Sequence, residues 1–182
     1  MYYENRGRIY IEKGLYDEAL KDLNHANNLD PSYAGTFYAL GLLFDKKCQN
    51  DEAIKYFSEA IRLDPNYEDA YLTRGNTYYN MKQYENVINN YNEAIKLDSS
   101  QPYYYNNRGN AYNELEQYEN AINDYNEAIR LDPNEWNYYC NRSNCYRKLG
   151  RYEDAIKSSK MALNIDPYNE RAKKQLEDFK YS

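Results

Sequence analysis

Residues 102–135 read PYYYNNRGNAYNELEQYENAINDYNEAIRLDPNE, and the same pattern returns along the chain every 34 residues. The repetition is clearest in three columns of residues. The first column is Gly7, Gly41, Gly75 and Gly109, followed by Ser143 in the last copy. The second column is Ala26, Ala60, Ala94, Ala128 and Ala162. The third column is Pro31, Pro65, Pro133 and Pro167, interrupted at Ser99. A fixed period of this length predicts an architecture of stacked structural repeats.

Each copy reads as two helices joined by a polar turn. In the copy quoted above, Tyr105, Arg108 and Tyr112 recur at helical spacing, and a second stripe of apolar residues begins at Tyr118. Pro133 ends the second helix, because proline lacks an N–H and disfavours helix in the residue before it. We expect the next copy's first helix to be capped by the side chain that follows the proline position. The residues at this position are Ser32, Asn66, Ser100 and Asn134.

The order of aromatic, glycine, alanine and proline positions resembles the tetratricopeptide repeat. In the second copy these positions are Phe37, Leu40, Gly41, Phe44, Ala53, Phe57, Ala60 and Pro65. The resemblance covers the whole chain and implies an all-α fold, a right-handed α-solenoid of antiparallel helix pairs. It also implies a single array of five repeats, at residues 1–33, 34–67, 68–101, 102–135 and 136–169.

The two ends of the array depart from the repeat. Residues 170–182 lack its pattern but keep Ala172, Leu176 and Phe179 on one helical face. This face predicts a helix that covers the last repeat, as stacked arrays require at their ends. At the other end, Met1 occupies the second position of the repeat, so the first helix lacks its own capping residue. This start fits a natural chain end and equally fits a segment of a larger protein.

Two columns are interpreted as scaffold and not as ligand contacts. Glycine inside a helix costs about 1 kcal/mol relative to alanine, so the glycine column predicts close contact between paired helices. One position earlier, four copies carry arginine, and the residue 16 positions later is polar in each of them. The pairs are Arg6–Asp22, Arg74–Asn90, Arg108–Asp124 and Arg142–Ser158, while the second copy has Leu40 and Tyr56. This covariation predicts that the two positions touch, with the guanidinium held between the helices.

Charge and composition argue against several classes of function. The net charge of −6 and the isoelectric point of about 5.0 oppose a nucleic-acid backbone as the main partner. The three cysteines show no disulfide or zinc spacing, which favours a reducing, cytoplasmic location. No apolar run is long enough to span a membrane. The single histidine, His25, stands in no metal-binding or nucleophile motif, so we expect no enzymatic activity, metal or cofactor.

The resemblance also assigns a peptide-binding groove, because the first helix of each tetratricopeptide repeat lines the concave face. The groove positions carried over are Tyr38, Leu42, Leu72, Asn76, Tyr79, Tyr103, Asn106, Asn107, Asn110, Asn113, Asn141, Asn144, Arg147 and Lys148. The implied ligand is an unidentified protein or peptide segment. We expect Asn110 and Asn144, near the centre of this surface, to face solvent in the free protein.

Asparagines dominate the groove positions. Asn76, Asn110 and Asn144 form one column, and Asn107 and Asn141 form a second. Carboxamides both donate and accept hydrogen bonds, so such a ladder could pair with the backbone of an extended peptide. The columns resemble the asparagine ladder of O-GlcNAc transferases, although only the second column shares its position. The alternative is that the asparagines reflect composition alone.

Chaperone tails are disfavoured as ligands. The carboxylate clamp of chaperone-binding tetratricopeptide proteins combines three cations with two asparagines. In copies three to five the corresponding residues are Leu72, Asn76, Asn107, Asn137 and Asn141. Both asparagines match, but all three cations are missing, so a terminal carboxylate would gain no charge-assisted hydrogen bonds there.

Two functions of different classes follow from the sequence. The first is a non-enzymatic scaffold that binds a peptide or protein segment in the concave groove. The second is a structural module that assembles end to end through its uncapped first repeat.

Overall fold

The computed structural model describes residues 2–178, which form eleven helices and contain no strand. The described residues divide into two compact units: unit 1 ends at Leu97 and unit 2 begins at Asp98. The boundary falls beside Ser99, at the copy in which the proline is missing. The expected all-α class is confirmed, and each unit is described by itself below.

Unit 1 contains three helix pairs. They are α1 (Tyr2–Glu12) with α2 (Tyr16–Leu29), α3 (Ala34–Lys46) with α4 (Asn50–Leu63), and α5 (Glu68–Asn80) with α6 (Tyr84–Leu97). Unit 2 contains two pairs and one further helix. These are α7 (Pro102–Glu114) with α8 (Tyr118–Leu131), α9 (Trp136–Lys148) with α10 (Tyr152–Ile165), and α11 (Glu170–Asp178). Short turns within each pair make its two helices antiparallel neighbours, as the periodicity predicts.

The turn inside each pair is closed by one residue in the left-handed conformation. Gly14 and Gly150 adopt φ of 73°, and Cys48, Lys82 and Glu116 adopt φ of 57–58°. The backbone N–H groups that follow bond back to the last turn of the first helix, as from Gln117 N to Tyr112 O at 2.9 Å. This geometry satisfies carbonyl groups that a helix end otherwise leaves unpaired. The predicted turn between the two helices of each copy is therefore confirmed.

The predicted capping of the first helices by Ser32, Asn66, Ser100 and Asn134 is wrong. In each case the aspartate before the proline position accepts the backbone N–H of that residue instead, at 2.8–3.0 Å. The residue at the N-cap lies one position further on, as at Tyr33, Tyr67 and Glu135. An aspartate readily forms this local turn because its short side chain reaches the N–H two residues on.

The glycine column does mark close helix contact. A Cβ on Gly109 would lie 2.9 Å from Cε1 of Tyr125, on the paired helix. A methyl group on Gly41 would collide in the same way with the ring of Phe57. The predicted structural role of the glycines is therefore confirmed at both positions.

The paired columns are also in contact as predicted. Arg108 donates from Nε and Nη2 to the two carboxylate oxygens of Asp124, at 2.8 and 2.6 Å. Each of the other three arginines donates to its predicted partner: Asp22, Asn90 and Ser158. Leu40 and Tyr56, the apolar version, belong to one hydrophobic cluster.

The helix α11 packs on the last repeat. Ala172 is fully buried in a cluster with Tyr139, Cys140 and Ala162, so α11 contacts both helices of the last repeat. Phe179 and the rest of the predicted capping segment, 179–182, lie outside the described residues. Within residues 2–178, no helix combines the length and apolar character that crossing a bilayer requires.

Candidate functional site

Unit 2 carries a polar cleft of about 420 Å³ between the first helices of its repeats and α11. The helix α7 contributes Tyr103, Asn106 and Asn110 to its lining. The helix α9 and the N-cap residue before it contribute four residues, Glu135, Asn137, Tyr138 and Asn141. Arg171 lines the cleft from α11. Four of the groove residues predicted from sequence are thus brought together, namely Tyr103, Asn106, Asn110 and Asn141, and Asn137, considered above as a clamp position, lies beside them.

The asparagines of the cleft are bonded to one another. Asn141 Nδ2 donates to Oδ1 of Asn106 at 2.9 Å and to Oδ1 of Asn110 at 3.2 Å. Asn106 Nδ2 donates to Oδ1 of Asn107 at 3.1 Å. These bonds fix the carboxamide orientations across α7 and α9. A peptide backbone entering the cleft would meet an ordered set of donors and acceptors.

Two asparagines of the column Asn76, Asn110 and Asn144 also have a structural role that was not predicted from the sequence. Asn110 Oδ1 accepts the hydroxyl of the buried Tyr125 at 2.8 Å, and Asn76 Oδ1 accepts that of Tyr91 at 2.6 Å. The expectation that Asn110 simply faces solvent is therefore wrong. The sequence carries a signal of this contact in the residue 15 positions later. That residue is a tyrosine after Asn76 and Asn110, whereas after Leu42 it is Phe57, which has no hydroxyl.

In unit 1, several predicted groove residues belong to the packing of the helices. Tyr38 is 8% exposed and Leu72 is 9% exposed. The ring of Tyr38 packs against Tyr67, with centroids 5.0 Å apart, and burial raises the pKa of both phenols. Leu42 is half-buried against two apolar clusters, and the ring of Tyr79 lies edge-on to Tyr84. Little of Tyr38 and Leu72 remains available to a ligand.

The other predicted residues of unit 2 lie outside the lining of the cleft: Asn107, Asn113, Asn144, Arg147 and Lys148. Asn113 accepts a weak hydrogen bond from the thiol of the buried Cys145 at 3.3 Å. Asn144 accepts from Nη2 of Arg147 at 3.0 Å on an exposed surface. Lys148 is exposed. These residues extend the polar surface of α7 and α9.

Sequence reasoning missed three residues of the cleft, Glu135, Tyr138 and Arg171. A readable signal existed for Arg171. It follows Asn137 by 34 residues and Tyr103 by 68, so it continues a groove column into α11. The helix α11 lies beyond the fifth copy, where the repeat pattern fades, and was therefore predicted only as a cover. The cleft therefore contains a cation that the clamp comparison did not include.

The charges of the cleft come from two side chains, Glu135 and Arg171. A Glu135 carboxylate oxygen accepts the backbone N–H of Asn137 at 3.1 Å and so caps α9. Burial, with the nearby carboxylates of Asp132 and Glu135, raises the pKa of the Tyr138 phenol. That hydroxyl therefore remains a protonated donor. Residues 2–178 hold no group of three or more His, Cys, Asp or Glu side chains arranged to bind a metal.

Solved structures with the same fold cover almost the whole chain. A crystal structure of MamA is 23% identical, with 91% of this chain and 90% of that chain aligned at a TM-score of 0.84. A MamA fragment from Desulfovibrio magneticus RS-1 is 20% identical over 92% and 95% of the two chains, with a TM-score of 0.83. YrrB, described as a TPR protein with an unusual peptide-binding site, is 20% identical over 98% and 90%, with a TM-score of 0.84. The expected α-solenoid fold class is thereby confirmed.

Family models match several segments of the chain. A model described as "Tetratricopeptide repeat" matches residues 102–135, the segment quoted at the outset, and another of the same description matches 124–157. A model described as "TPR repeat" matches residues 7–47, 49–82 and 75–115. A comparison with curated proteins gave no match. The matched segments cover well over half of the sequence, and the chain belongs to the tetratricopeptide repeat family.

Proposed function

We propose that this chain is a non-enzymatic protein-interaction scaffold whose unit 2 cleft binds a peptide segment of its partner. The observation that carries the proposal is the cleft of about 420 Å³, in which three helices place carboxamides, a guanidinium and a carboxylate around one space. Concave sites of this size with a few oriented polar groups are typical ligand sites. The family, and the description of YrrB as a peptide-binding protein, support the same class of function.

The ordered carboxamides explain how such a cleft would hold a peptide. An extended backbone presents alternating N–H and C=O groups, and a carboxamide can pair with either. Because the bonds between Asn106, Asn110 and Asn141 already fix these side chains, a ligand would lose little binding energy to ordering them.

We place the scaffold in the cytoplasm, because its three cysteines are free and two of them are buried thiols.

Blocking the cleft tests the proposal. Asn137→Trp places a large side chain in the lining, and the described hydrogen bond of Asn137 comes from its backbone N–H, which the substitution keeps. Labelled synthetic peptides of mixed sequence are screened against the wild type by fluorescence anisotropy. Peptides that bind should lose most of their affinity for Asn137→Trp and keep it for the exposed control Lys157→Ala, on α10. Equal binding to all three proteins would place the peptide site elsewhere.

Self-assembly is a second candidate function, favoured by apolar exposure on α1. Tyr2 is 67% exposed and Ile9 is 49% exposed on this first helix. Large exposed apolar side chains that lie together mark contact surfaces. Light scattering over a range of concentrations separates the two functions. A mass that rises with concentration, and returns to the monomer in Ile9→Glu, would support assembly, whereas a constant monomer would remove it.

A further inference from the structure

Arg171 is an unusual member of the cleft, because the contact described for its guanidinium is with a neutral carboxamide. Its Nη2 donates to Oδ1 of Asn141 at 2.7 Å, and none of the ion pairs described within residues 2–178 involves it. A guanidinium carries five N–H donors, so this neutral contact leaves most of them for a ligand. Arg171 is also the cation of the cleft lining.

The position of Arg171 is fixed by the packing of α11. One residue on, Ala172 is fully buried, and its backbone N–H donates to Oδ1 of the Asn169 side chain at 3.0 Å. One turn further, Gln175 Nε2 donates to the carbonyl oxygen of Cys140 at 3.0 Å, and its Oε1 accepts from Ser159 at 3.1 Å. These contacts hold α11 against α9 and α10. The guanidinium is therefore presented over the asparagines by a rigid element, which favours specific recognition.

The chemistry of the cleft selects a carboxylate with one negative charge. Carboxylates form short, charge-assisted and often bidentate hydrogen bonds with guanidinium groups. Glu135 lines the same cleft, so a doubly charged anion such as phosphate would be repelled more strongly there. A carboxylate on a flexible side chain can settle against Arg171 while its peptide backbone stays on the asparagines. A carboxylate at a chain end, attached directly to the backbone, has less freedom to avoid Glu135.

We propose that Arg171 makes this cleft selective for peptides that present an aspartate or glutamate side chain. The inference rests on the proposed function, because it requires a peptide in the unit 2 cleft. The acidic side chain contacts Arg171, and the flanking backbone pairs with the carboxamides of Asn106 and Asn110. The helix α11 thus serves as a specificity element in addition to covering the last repeat.

End-blocked peptides provide the test. The probes are synthetic peptides of mixed sequence with acetylated N-termini and amidated C-termini, so that every carboxylate belongs to Asp or Glu. Binders are then remade with Asn or Gln at each acidic position. Replacing the critical acid should weaken binding to the wild type by roughly 10-fold or more, as should Arg171→Gln with the original peptide. The two changes together should cost no more than either alone.

Two further variants make the result specific. Glu135→Gln keeps the acceptor for Asn137 N–H but removes a negative charge, so it should bind the acidic peptides more tightly than the wild type. Arg171→Gln should melt at the wild-type temperature, because Arg171 is exposed. A further set of peptides without Asp or Glu but with free C-termini tests the source of the carboxylate.

The outcomes distinguish this inference from the proposed function. If Asn137→Trp abolishes binding while Arg171→Gln and the amide peptides bind normally, the cleft binds peptides but the acidic selectivity is wrong. If only peptides with free C-termini depend on Arg171, the ligand is a chain end and the side-chain assignment is wrong. If no peptide binds the wild type, both proposals fail.

Discussion

At the scale of single residues, one position of each repeat's first helix is polar or apolar according to the residue that it contacts on the paired helix. The hydroxyl of Tyr125, which is 1% exposed, finds its acceptor in Asn110. Where the partner is Phe57, the corresponding position is Leu42. A buried hydroxyl without an acceptor would cost about 1–3 kcal/mol. Asn110 therefore stabilises the fold, whether or not it also contacts a ligand.

Substitution of Asn110 should therefore destabilise the fold. Asn110→Ala leaves the Tyr125 hydroxyl without its acceptor and should lower the free energy of unfolding by about 1–3 kcal/mol. Asn144→Ala should change it by less than about 0.5 kcal/mol, because Asn144 is bonded only to the exposed Arg147 in the described contacts. Asn110→Leu combined with Tyr125→Phe copies the second repeat and should recover much of the loss. Urea unfolding measures all four proteins, and an unaltered midpoint in Asn110→Ala would contradict the assignment.

The arginine columns allow a parallel test of pairing. Arg108→Leu leaves the carboxylate of Asp124, which is nearly buried, without the two hydrogen bonds that Arg108 donates to it. The expected loss is about 1–3 kcal/mol. Adding Asp124→Tyr reproduces the Leu40–Tyr56 pair and removes the buried charge, so the double variant should melt above the single one. A double variant that melts no higher would show that the two columns do not act as a pair.

At the scale of helices, the fifth repeat is adapted to receive α11. Its glycine is replaced by Ser143 and its late aromatic residue by Ser159, and the two hydroxyls meet at 2.7 Å. The smaller Ser159 removes the ring that would collide with a Cβ at position 143. It also lets Gln175 of α11 reach into the helix pair and bond to Ser159. The two serines that break the repeat pattern therefore help the last repeat to bind α11.

Removal of α11 should loosen the last repeat first. Deleting residues 170–182 exposes Ala162 and Cys140, which α11 covers, and leaves Ser159 without its bond to Gln175. Because each repeat is supported by its neighbours, amide exchange should accelerate across α10 while α8 keeps most of its protection. Gln175→Ala should show a weaker form of the same change, and Glu177→Ala, at an exposed position, should show none. Unchanged exchange in α10 of the truncated chain would rule out a stabilising role.

At the scale of the whole molecule, the sequence predicted the helix pairs, their boundaries and the paired arginine columns. These features depend on contacts within one repeat, which recur at a fixed spacing and can be compared from copy to copy. The cleft was predicted less well. Arg171 lies where the repeat pattern fades, and the burial of Tyr38 depends on contacts with the next repeat. Burial of that kind cannot be derived from a column of side chains, because neighbouring copies carry different residues.

The reaction rates of the three thiols test whether Cys140 and Cys145 are buried in the folded protein while Cys48 is exposed. Cys48 is exposed in the turn between α3 and α4, whereas Cys140 and Cys145 are fully buried in α9. Burial raises the pKa of Cys145 to about 12, so at pH 8 only roughly one molecule in 10⁴ would carry its reactive thiolate. A disulfide reagent at pH 8 should therefore react at once with Cys48 and with the other two only as the protein opens. Denaturant should expose all three, and Cys48→Ser should abolish the fast phase alone. Fast reaction of all three thiols in the native protein would contradict the packing of unit 2.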